Sequence, residues 1–321
     1  MEKIVLAADL GGTNLRMAAV DGSGEILFRT RIATPTSGKQ ADIVSAILEV
    51  IKECRDGLGG NVEFAAFGAA VPAIVNSRAG MILRSPNVPE LNGLDFSGRF
   101  SKELSIPVVL ENDANAAAVG ENWKGASKGV ANSIHVTLGT GVGGGLIIDG
   151  KLHRGIDGTA GEIGHIAVVP DGHPCGCGSV GCVEQYASAT AIERIARELL
   201  PKYPESALHS RSDISPLDVY NAGMEGDRLS LETFRLVGTY LGTALGGLVN
   251  VLNPEAIVIG GGASAGWTLF IEHLRSEIFR RAFLHPAERV RLVRSELGDD
   301  AGILGAAFLA SESVLGNLHN I

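Results

Sequence analysis

The chain has 321 residues, of which 45% are hydrophobic and 20% are charged. A chain of this length is expected to form two domains, and its apolar content is enough to bury a core in each, which argues against general disorder. The formal net charge of -9 argues against a nucleic-acid-binding surface, because such a surface needs clustered Lys and Arg.

The sequence predicts a cytoplasmic protein. Its N-terminal apolar run, residues 4–10, is too short for the core of a signal peptide and contains Asp9. No apolar run reaches the roughly 18 residues that a transmembrane helix requires.

The first third of the chain predicts strands, a helix and further strands. Short β-type runs indicate strands at residues 4–10, 16–20, 25–33, 64–71 and 107–110. The turn Gly11-Gly12-Thr13-Asn14 separates the first two of them. Apolar residues at helical spacing predict a helix over 39–58, and an alanine-rich stretch predicts another over 113–123.

The rest of the chain begins with a second hairpin around a glycine-rich turn and then becomes mainly helical. Strands are predicted over residues 133–138, 145–148, 256–259 and 290–293, and helices over 182–200, 229–252, 267–283 and 301–311. The polar stretch 203–215 is predicted to be a loop.

The same order, a glycine-rich hairpin followed by strands and helices, occurs twice. The predicted fold class is therefore α/β, with two domains of similar plan flanking a cleft. The expected small domain contains residues 1–117 plus 301–321, and the expected large domain contains residues 118–300 with the cysteine-rich loop.

Three glycine-rich turns follow predicted strands, at residues 9–14, 138–145 and 259–262. Without β-carbons the backbone can approach a polyphosphate and direct N–H groups at it, although any single turn of this kind is more often a tight hairpin turn. A P-loop is excluded because Leu152 stands where Ser or Thr is needed. The dinucleotide motif is excluded because a strand, not a helix, follows its glycines.

In order and spacing, these three loops resemble those of the actin/hexokinase/Hsp70 group of ATP-binding proteins, which implies that the two domains have the actin-like ATPase fold, a ribonuclease H-like fold. The resemblance implies that the first two loops bind the phosphates of ATP, that Asp9 orients hydrated Mg2+, and that the third loop lies beside the nucleoside. The residues implied for ATP are Asp9, Gly11, Gly12, Thr13, Asn14, Thr140, Gly141, Gly261 and Gly262.

Three of the four cysteines lie within eight positions, in Cys175-Gly-Cys177-Gly-Ser-Val-Gly-Cys182, after the segment Gly161-Glu-Ile-Gly-His165. Without a secretory signal, metal binding is the leading interpretation. Three thiolates and one imidazole complete the ligand set of a tetrahedral Zn2+, which favours a structural site because no position remains for water. His173 competes with His165 as fourth ligand, and a metal-free cluster of reduced thiols is the alternative.

Together the two segments resemble the signature of the ROK family (repressors, open reading frames, kinases), in which zinc shapes the loop that presents the sugar-binding residues. By this resemblance the sugar would be bound by Asn87, Asn112, Asp113, Glu162, His165 and Glu184. One segment departs from the family pattern, because Ala73 and Asn76 stand where ROK kinases commonly have Gly and Asp.

Asp113 follows a predicted strand, and the carboxyl ends of strands are where α/β proteins present their chemistry. Phosphoryl transfer to a sugar hydroxyl needs a carboxylate within hydrogen-bond reach, and the ROK resemblance implies that Asp113 is this general base. The alternative is that Asp113 caps the following helix, a role that does not exclude catalysis.

The resemblance implies an ATP-dependent kinase for the 6-hydroxyl of a hexose, with glucose as the leading acceptor and a homodimer as the expected state. N-acetylglucosamine, N-acetylmannosamine and fructose are alternatives, because one or two pocket side chains decide substrate choice. A sugar-sensing regulator is a further alternative, but ROK repressors carry an N-terminal helix-turn-helix, for which a strand that begins at Ile4 leaves no room. A zinc hydrolase is the most remote one, and no membrane or nucleic-acid partner is expected.

Overall fold

A computed structural model describes residues 4–59 and 62–316 of the chain. Contacts within the chain divide the protein into two compact units. The first unit contains Met1–Gly129, Gly145–Ala160 and Glu296–Ile321, and the second contains Val130–Gly144 and Gly161–Ser295.

The described residues form twelve strands and ten α-helices. The strands are β1 (Ile4–Leu10), β2 (Asn14–Val20), β3 (Ile26–Ala33), β4 (Phe64–Val71), β5 (Ile74–Asn76), β6 (Met81–Arg84), β7 (Val108–Asn112), β8 (Ser133–Leu138), β9 (Val142–Ile148), β10 (Lys151–Leu152), β11 (Ala256–Gly260) and β12 (Arg291–Arg294). The helices are α1 (Gln40–Gly57), α2 (Phe96–Leu104), α3 (Asp113–Lys124), α4 (Glu184–Ala187), α5 (Ala189–Leu199), α6 (Pro216–Met224), α7 (Arg228–Leu252), α8 (Trp267–Arg281), α9 (Leu284–Arg289) and α10 (Ala301–Gly316).

The first unit is built around a five-stranded mixed sheet with the order β3-β2-β1-β4-β7. β1 pairs antiparallel with β2 and parallel with β4, so that β1 lies at the centre. Both faces of β1 are buried: Leu6 and Ala8 face a core that includes Ile47 of α1, while Val5 faces a second core that includes Ala307 of α10. A strand that is buried on both faces has a nearly continuous apolar sequence. This pattern explains why β1 was predicted with its observed bounds.

Helices α3 and α10 of the first unit cross without a side chain between them. A β-carbon on Gly120 would overlap the carbonyl oxygen of Ala301, and one on Gly305 would overlap that of Ala116. The contact therefore requires glycine on both helices, because any other residue would push the backbones apart.

This crossing places the unit boundaries elsewhere than at the expected divisions after residues 117 and 300. Helix α3 continues to Lys124 and stays packed on α10, so that residues 118–129 belong to the first unit. The buried carboxylate of Glu121 accepts a hydrogen bond from the Leu297 backbone N–H at 2.9 Å, which ties residues 296–300 to the same unit. Residues 145–160 also join it, because Ile147 packs with Ala118 and Val119.

The second sheet has the order β10-β9-β8-β11-β12, in which β11 pairs parallel with β8 and with β12. In the second unit, α7 packs along α8 through a glycine at every fourth position. A β-carbon on Gly238 would overlap the carbonyl oxygen of Phe270, and one on Gly242 would lie 2.7 Å from that of Leu274. Residues four apart lie on one face of a helix, so that this spacing brings the two helix backbones together.

The mixed sheets and their covering helices confirm the predicted α/β class.

One predicted helix, over 182–200, is in fact two, because Ser188 adopts an extended conformation and its side chain accepts a hydrogen bond from the Ala191 backbone N–H. Ser188 therefore acts as the N-cap of α5, a role for which serine is favoured. Among residues 4–59 and 62–316, no helix has the length and hydropathy needed to span a membrane.

The glycines of α7 give a test of the close helix contact. We expect Gly242→Ala to destabilise the protein by about 1–3 kcal/mol, since its β-carbon would lie only 2.7 Å from atoms of α8. Gly247→Ala on the same helix is the matched control, because nothing lies within 4 Å of its β-carbon. That change should stabilise by up to about 1 kcal/mol, through helix propensity. Thermal unfolding of both variants measures these changes in stability. Unfolding temperatures that shift in the same direction in the two variants would contradict the close packing of α7 on α8.

Candidate functional site

The first glycine-rich loop joins β1 to β2 in the first unit. Its Gly11 backbone N–H donates to the carbonyl oxygen of Asn14 at 2.8 Å, and Thr34 holds it from outside by donating its hydroxyl to the Gly11 carbonyl oxygen at 2.7 Å. A β-carbon on Gly12 would lie 3.6 Å from the carbonyl oxygen of Asn87. The structure thus brings the implied sugar residue Asn87 beside the implied phosphate loop.

Asp9 lies immediately before this loop, in β1. Burial raises the pKa of its carboxyl group, while Arg16, 3.6 Å away on the paired strand, opposes the rise. Gly302 of α10 faces the carboxylate, and a β-carbon there would lie 3.5 Å from Asp9 Cγ. A partly buried carboxylate with one partly exposed cation beside it is suited to a hydrated divalent ion, because the ion would favour the charged form.

At the end of β7, Asn112 caps helix α3. Its side-chain oxygen accepts hydrogen bonds from the backbone N–H groups of Ala114 and Asn115 at 3.0 and 3.1 Å, and its side-chain N–H donates to the carbonyl oxygen of Ala73 at 3.2 Å. Asp113 is the first residue of the helix and not its cap. The N-cap is therefore its neighbour Asn112, while the half-buried Asp113 carboxylate accepts a hydrogen bond through Oδ1 from the Ala114 backbone N–H at 2.9 Å.

The buried carboxylate of Glu111 supports this strand end. It accepts hydrogen bonds from Arg154 Nε at 2.6 Å, from the Asn112 backbone N–H at 3.0 Å and from Asn115 Nδ2 at 3.1 Å. A buried charge is tolerated only when it is paired and hydrogen-bonded, and Glu111 meets both conditions. Glu111 and Arg154 were missed from sequence, although a charged residue in the otherwise apolar run 108–111 is a signal of such pairing.

The two departures from the family pattern have structural explanations. Ala73 contributes its backbone carbonyl to Asn112, and any residue type can supply this group. Asn76 accepts a hydrogen bond from the Ala79 backbone N–H at 3.0 Å in the turn between β5 and β6. Aspartate makes the same turn contact, so that the exchange preserves the local fold.

In the second unit, the second glycine-rich loop runs from Leu138 to Val142 and meets the third. A β-carbon on Gly261, which has a positive φ of 82°, would overlap the backbone of Leu138. Positive φ and the lack of space both require glycine here. The structure therefore places Gly261 against Leu138, immediately before the loop residues Thr140 and Gly141.

The metal-ligand candidates of the second unit converge. Single ligand atoms of His165, Cys175, Cys177 and Cys182 all lie within 4.8 Å of one another. Cys177 Sγ is 3.7 Å from Cys182 Sγ, and Cys175 Sγ is 3.6 Å from His165 Nδ1. A tetrahedral zinc with bonds of about 2.3 Å to sulfur and 2.0 Å to nitrogen has edges of about 3.8 Å between sulfurs and about 3.5 Å from sulfur to nitrogen. The cluster is therefore compatible with Zn2+.

The competing ligand His173 is held elsewhere. Its Nε2 lies 2.7 Å from Arg194 Nη1, its backbone N–H donates to the Tyr186 hydroxyl at 3.0 Å, and its ring packs on the Tyr186 ring. His165 is the histidine that the structure brings to the thiols. Its other ring nitrogen, Nε2, lies 3.8 Å from Glu162 Oε2, the kind of carboxylate partner that orients a metal-bound histidine.

The thiols of the cluster differ in acidity when no metal is bound. A backbone hydrogen bond from Ser179 lowers the pKa of Cys177, whereas burial raises the pKa of Cys182 to about 12. A metal must bind the thiolate, so that loading the cluster releases protons.

The chain is similar to known proteins over almost its whole length. The ROK family profile matches residues 5–313. A glucokinase of Halalkalibacterium halodurans is 35% identical over 96% of this chain and 94% of its own length. The crystal structure of a ROK family glucokinase from Streptomyces griseus, in complex with glucose and AMPPNP, has a TM-score of 0.81 and 35% identity over 96% of this chain and 99% of that one. A putative xylose repressor of a Caldicellulosiruptor species is 28% identical over 97% of this chain and 79% of its own length.

These matches confirm the predicted fold, the actin-like ATPase fold in two domains. They also confirm the family resemblance that the glycine and cysteine segments carry.

Metal content tests the cluster. We expect the purified protein to contain about one zinc per chain, measured by elemental mass spectrometry, and Cys177→Ala to lose most of it, since three ligands remain. Cys54→Ala is the matched control, because this thiol is buried in α1, outside the cluster. Less than half an equivalent of zinc in the unaltered protein, together with thiols that react freely, would contradict the assignment.

Proposed function

The chain belongs to the ROK family and is an ATP-dependent sugar kinase; within that class we propose that it phosphorylates glucose at the 6-hydroxyl, with Asp113 as general base. The observation that carries the proposal is the position of Asp113 at the carboxyl end of β7. Asn112 is the N-cap of α3, and the half-buried carboxylate of Asp113 lies in the first turn, where its Oδ1 accepts a hydrogen bond from the Ala114 backbone N–H at 2.9 Å. A carboxylate in this position can accept the proton of a sugar hydroxyl.

The reaction follows from the proposed roles. The 6-hydroxyl gives its proton to Asp113 while its oxygen attacks the γ-phosphorus of ATP, and ADP leaves. Such a transfer is catalysed mainly by positioning and by stabilising charge on the phosphoryl group. Gly11–Asn14 and the pair Thr140 and Gly141 are proposed to line the phosphate site. The Gly11 backbone N–H, which donates to the Asn14 carbonyl oxygen, shapes the first of these loops. Mg2+ would offset the phosphate charge, with Asp9 orienting its water shell.

The sugar itself is proposed to be bound by hydrogen bonds to its hydroxyls. Asn112 has one side-chain N–H committed to Ala73, and an amide carries two such donors, so that the second can face a sugar. Glu162 has a half-exposed side chain at 50%, which leaves its carboxylate accessible to a ligand. The zinc is proposed as the scaffold that holds His165 and the neighbouring glutamates in place. It takes no part in the phosphoryl transfer.

A sugar-sensing regulator is the second candidate, because a repressor is among the relatives. The two candidates differ in turnover, since a sensor would bind the sugar without consuming ATP. The sugars to be compared with glucose are N-acetylglucosamine, N-acetylmannosamine and fructose, each distinguished from glucose by a small number of contacts.

Substitution of the base is the first test. We expect Asp113→Asn to lower kcat by about 100-fold to 10,000-fold, the usual contribution of a general base, while glucose still binds. Asp42→Asn is the matched control, because Asp42 lies in the first turn of another helix, α1, and is exposed. Steady-state kinetics and glucose titrations measure both; residual activity above a tenth of the unaltered protein would mean that Asp113 is not the base.

Substrate choice is the second test. In an assay that couples ADP release to a recorded absorbance, we expect the highest kcat/KM for glucose among the four sugars, with glucose 6-phosphate as the product. A higher kcat/KM for another of these sugars would show that glucose is not the preferred acceptor, while the assignment as a sugar kinase would stand. Sugar binding without ADP release on any of them would favour the regulator.

A further inference from the structure

The second glycine-rich loop is held from outside by the segment that follows the last metal ligand. Glu184 Oε2 accepts a hydrogen bond from the Val142 backbone N–H at 3.0 Å. The Ala189 backbone N–H donates to the Gly139 carbonyl oxygen at 2.8 Å, and the Thr190 hydroxyl donates to the Thr140 carbonyl oxygen at 3.0 Å. These contacts reach three of the four residues of the loop 139–142.

The fourth residue of the loop is shaped by the same glutamate. A β-carbon on Gly141 would overlap Glu184 Oε2 and lie 3.1 Å from Glu184 Cδ. The carboxylate therefore occupies the space where a side chain would otherwise stand. Glu184 acts on the loop both as a hydrogen-bond acceptor and as a steric support.

Glu184 is also joined to the metal cluster. It follows Cys182 by two residues, and its Oε1 lies 3.8 Å from Cys175 Sγ. Between them, the Val183 backbone N–H donates to the carbonyl oxygen of Ile166, the residue after His165. The position of Glu184 thus depends on two segments that carry metal ligands.

The segment that leads to His165 touches the same part of the loop from another direction. A β-carbon on Gly164 would overlap the carbonyl oxygen of Val142, and one on Gly144 would overlap that of Gly161. With no side chain between the backbones, a shift of one segment must move the other.

From these contacts we propose that Glu184 is a positioning residue for the loop 139–142 and that the loaded Cys3His cluster, acting through Glu184, sets the affinity for the nucleotide. The inference rests on the proposed function, which assigns this loop to the phosphates of ATP. It differs in making the metal cluster a determinant of nucleotide binding and not of sugar binding alone. The four residues of the cluster fit a zinc ion. Bound zinc would fix the segments on either side of Glu184, and Glu184 would in turn fix the loop 139–142.

The test measures binding of AMPPNP with Mg2+ by calorimetry in the absence of sugar, so that no turnover is involved. Removal of zinc by a chelator should raise the Kd about tenfold or more, the value of a lost charge-assisted hydrogen bond, and zinc addition should restore it. Glu184→Ala should do the same without loss of zinc. Glu184→Gln keeps one carbonyl acceptor for the Val142 N–H, so that its Kd should stay within about threefold of the unaltered protein.

Thr190→Val gives a readout that does not disturb the cluster. It removes only the hydrogen bond to the Thr140 carbonyl oxygen, and we expect a Kd for AMPPNP about three to ten times higher, with zinc content and glucose binding unchanged. Thr239→Val is the matched control, because the Thr239 hydroxyl bonds within α7 to the Arg235 carbonyl oxygen. This pair keeps the test valid if the Glu184→Ala or zinc-free protein does not fold, as monitored by circular dichroism.

The outcomes separate this inference from the proposed function. Equal Kd values for AMPPNP in the zinc-loaded, Glu184→Ala and Thr190→Val proteins would overturn the inference and leave the kinase intact. If the zinc-free protein is folded and binds AMPPNP with an unchanged Kd but no longer binds glucose, the cluster supports sugar binding alone and the inference is wrong. No AMPPNP binding to the unaltered zinc-loaded protein would overturn the proposed function, and the inference with it.

Discussion

At Gly164 the backbone that leads to His165, the histidine of the Cys3His cluster, lies directly against the carbonyl oxygen of Val142, with no room for a β-carbon. Gly141 and Gly261 make similar approaches, the first to a carboxylate and the second to the end of β8. Glycine is the only residue that permits them. The second unit therefore packs the proposed phosphate loop, the proposed nucleoside loop and the segments of the Cys3His cluster closely against one another, so that a shift of one displaces its neighbour.

In the first unit, the important feature is a carboxylate, Asp113, held at the end of strand β7. The orphan N–H groups of α3 need an acceptor, and Asn112 supplies it from the last position of β7. Glu111, one residue earlier, is buried and fully engaged by Arg154 and by backbone and amide donors. Glu111 thus supports the strand end and Asn112 caps the helix, while Asp113, which accepts a hydrogen bond from the Ala114 backbone N–H, stands where the chemistry is expected.

Prediction from sequence succeeded where a segment carries a long, regular pattern. Helix α7 and strands β1, β4 and β8 were predicted within one residue at each end, because their apolar periodicity leaves one solution. The short elements were missed, although two carried local signals. Helix α6 begins with a capping box of Ser215 and Asp218 and with Pro216 at its first position, and Asp95 caps α2. The hairpin of β5 and β6 is too short to show a pattern.

The bounds of the two compact units could not be predicted from the sequence, and the reason is physical. The expected division fell inside α3, because a helix that leads away from a strand end resembles a connection between domains. Gly120 and Gly305 decide otherwise, since they let α3 pack on a helix nearly two hundred residues away. The local sequence of each helix does not indicate which other helix it packs against.

The sequence by itself determined the family, the α/β class, the three glycine-rich loops and the chemistry of a Cys3His set, because each depends on residue types at fixed spacing. It did not decide between His165 and His173, since both lie within ten residues of the first cluster cysteine. The tertiary structure decided this, through Arg194 and Tyr186, which hold His173 away from the thiols. A pattern along the chain specifies which groups are available, but only long-range packing determines which of them meet.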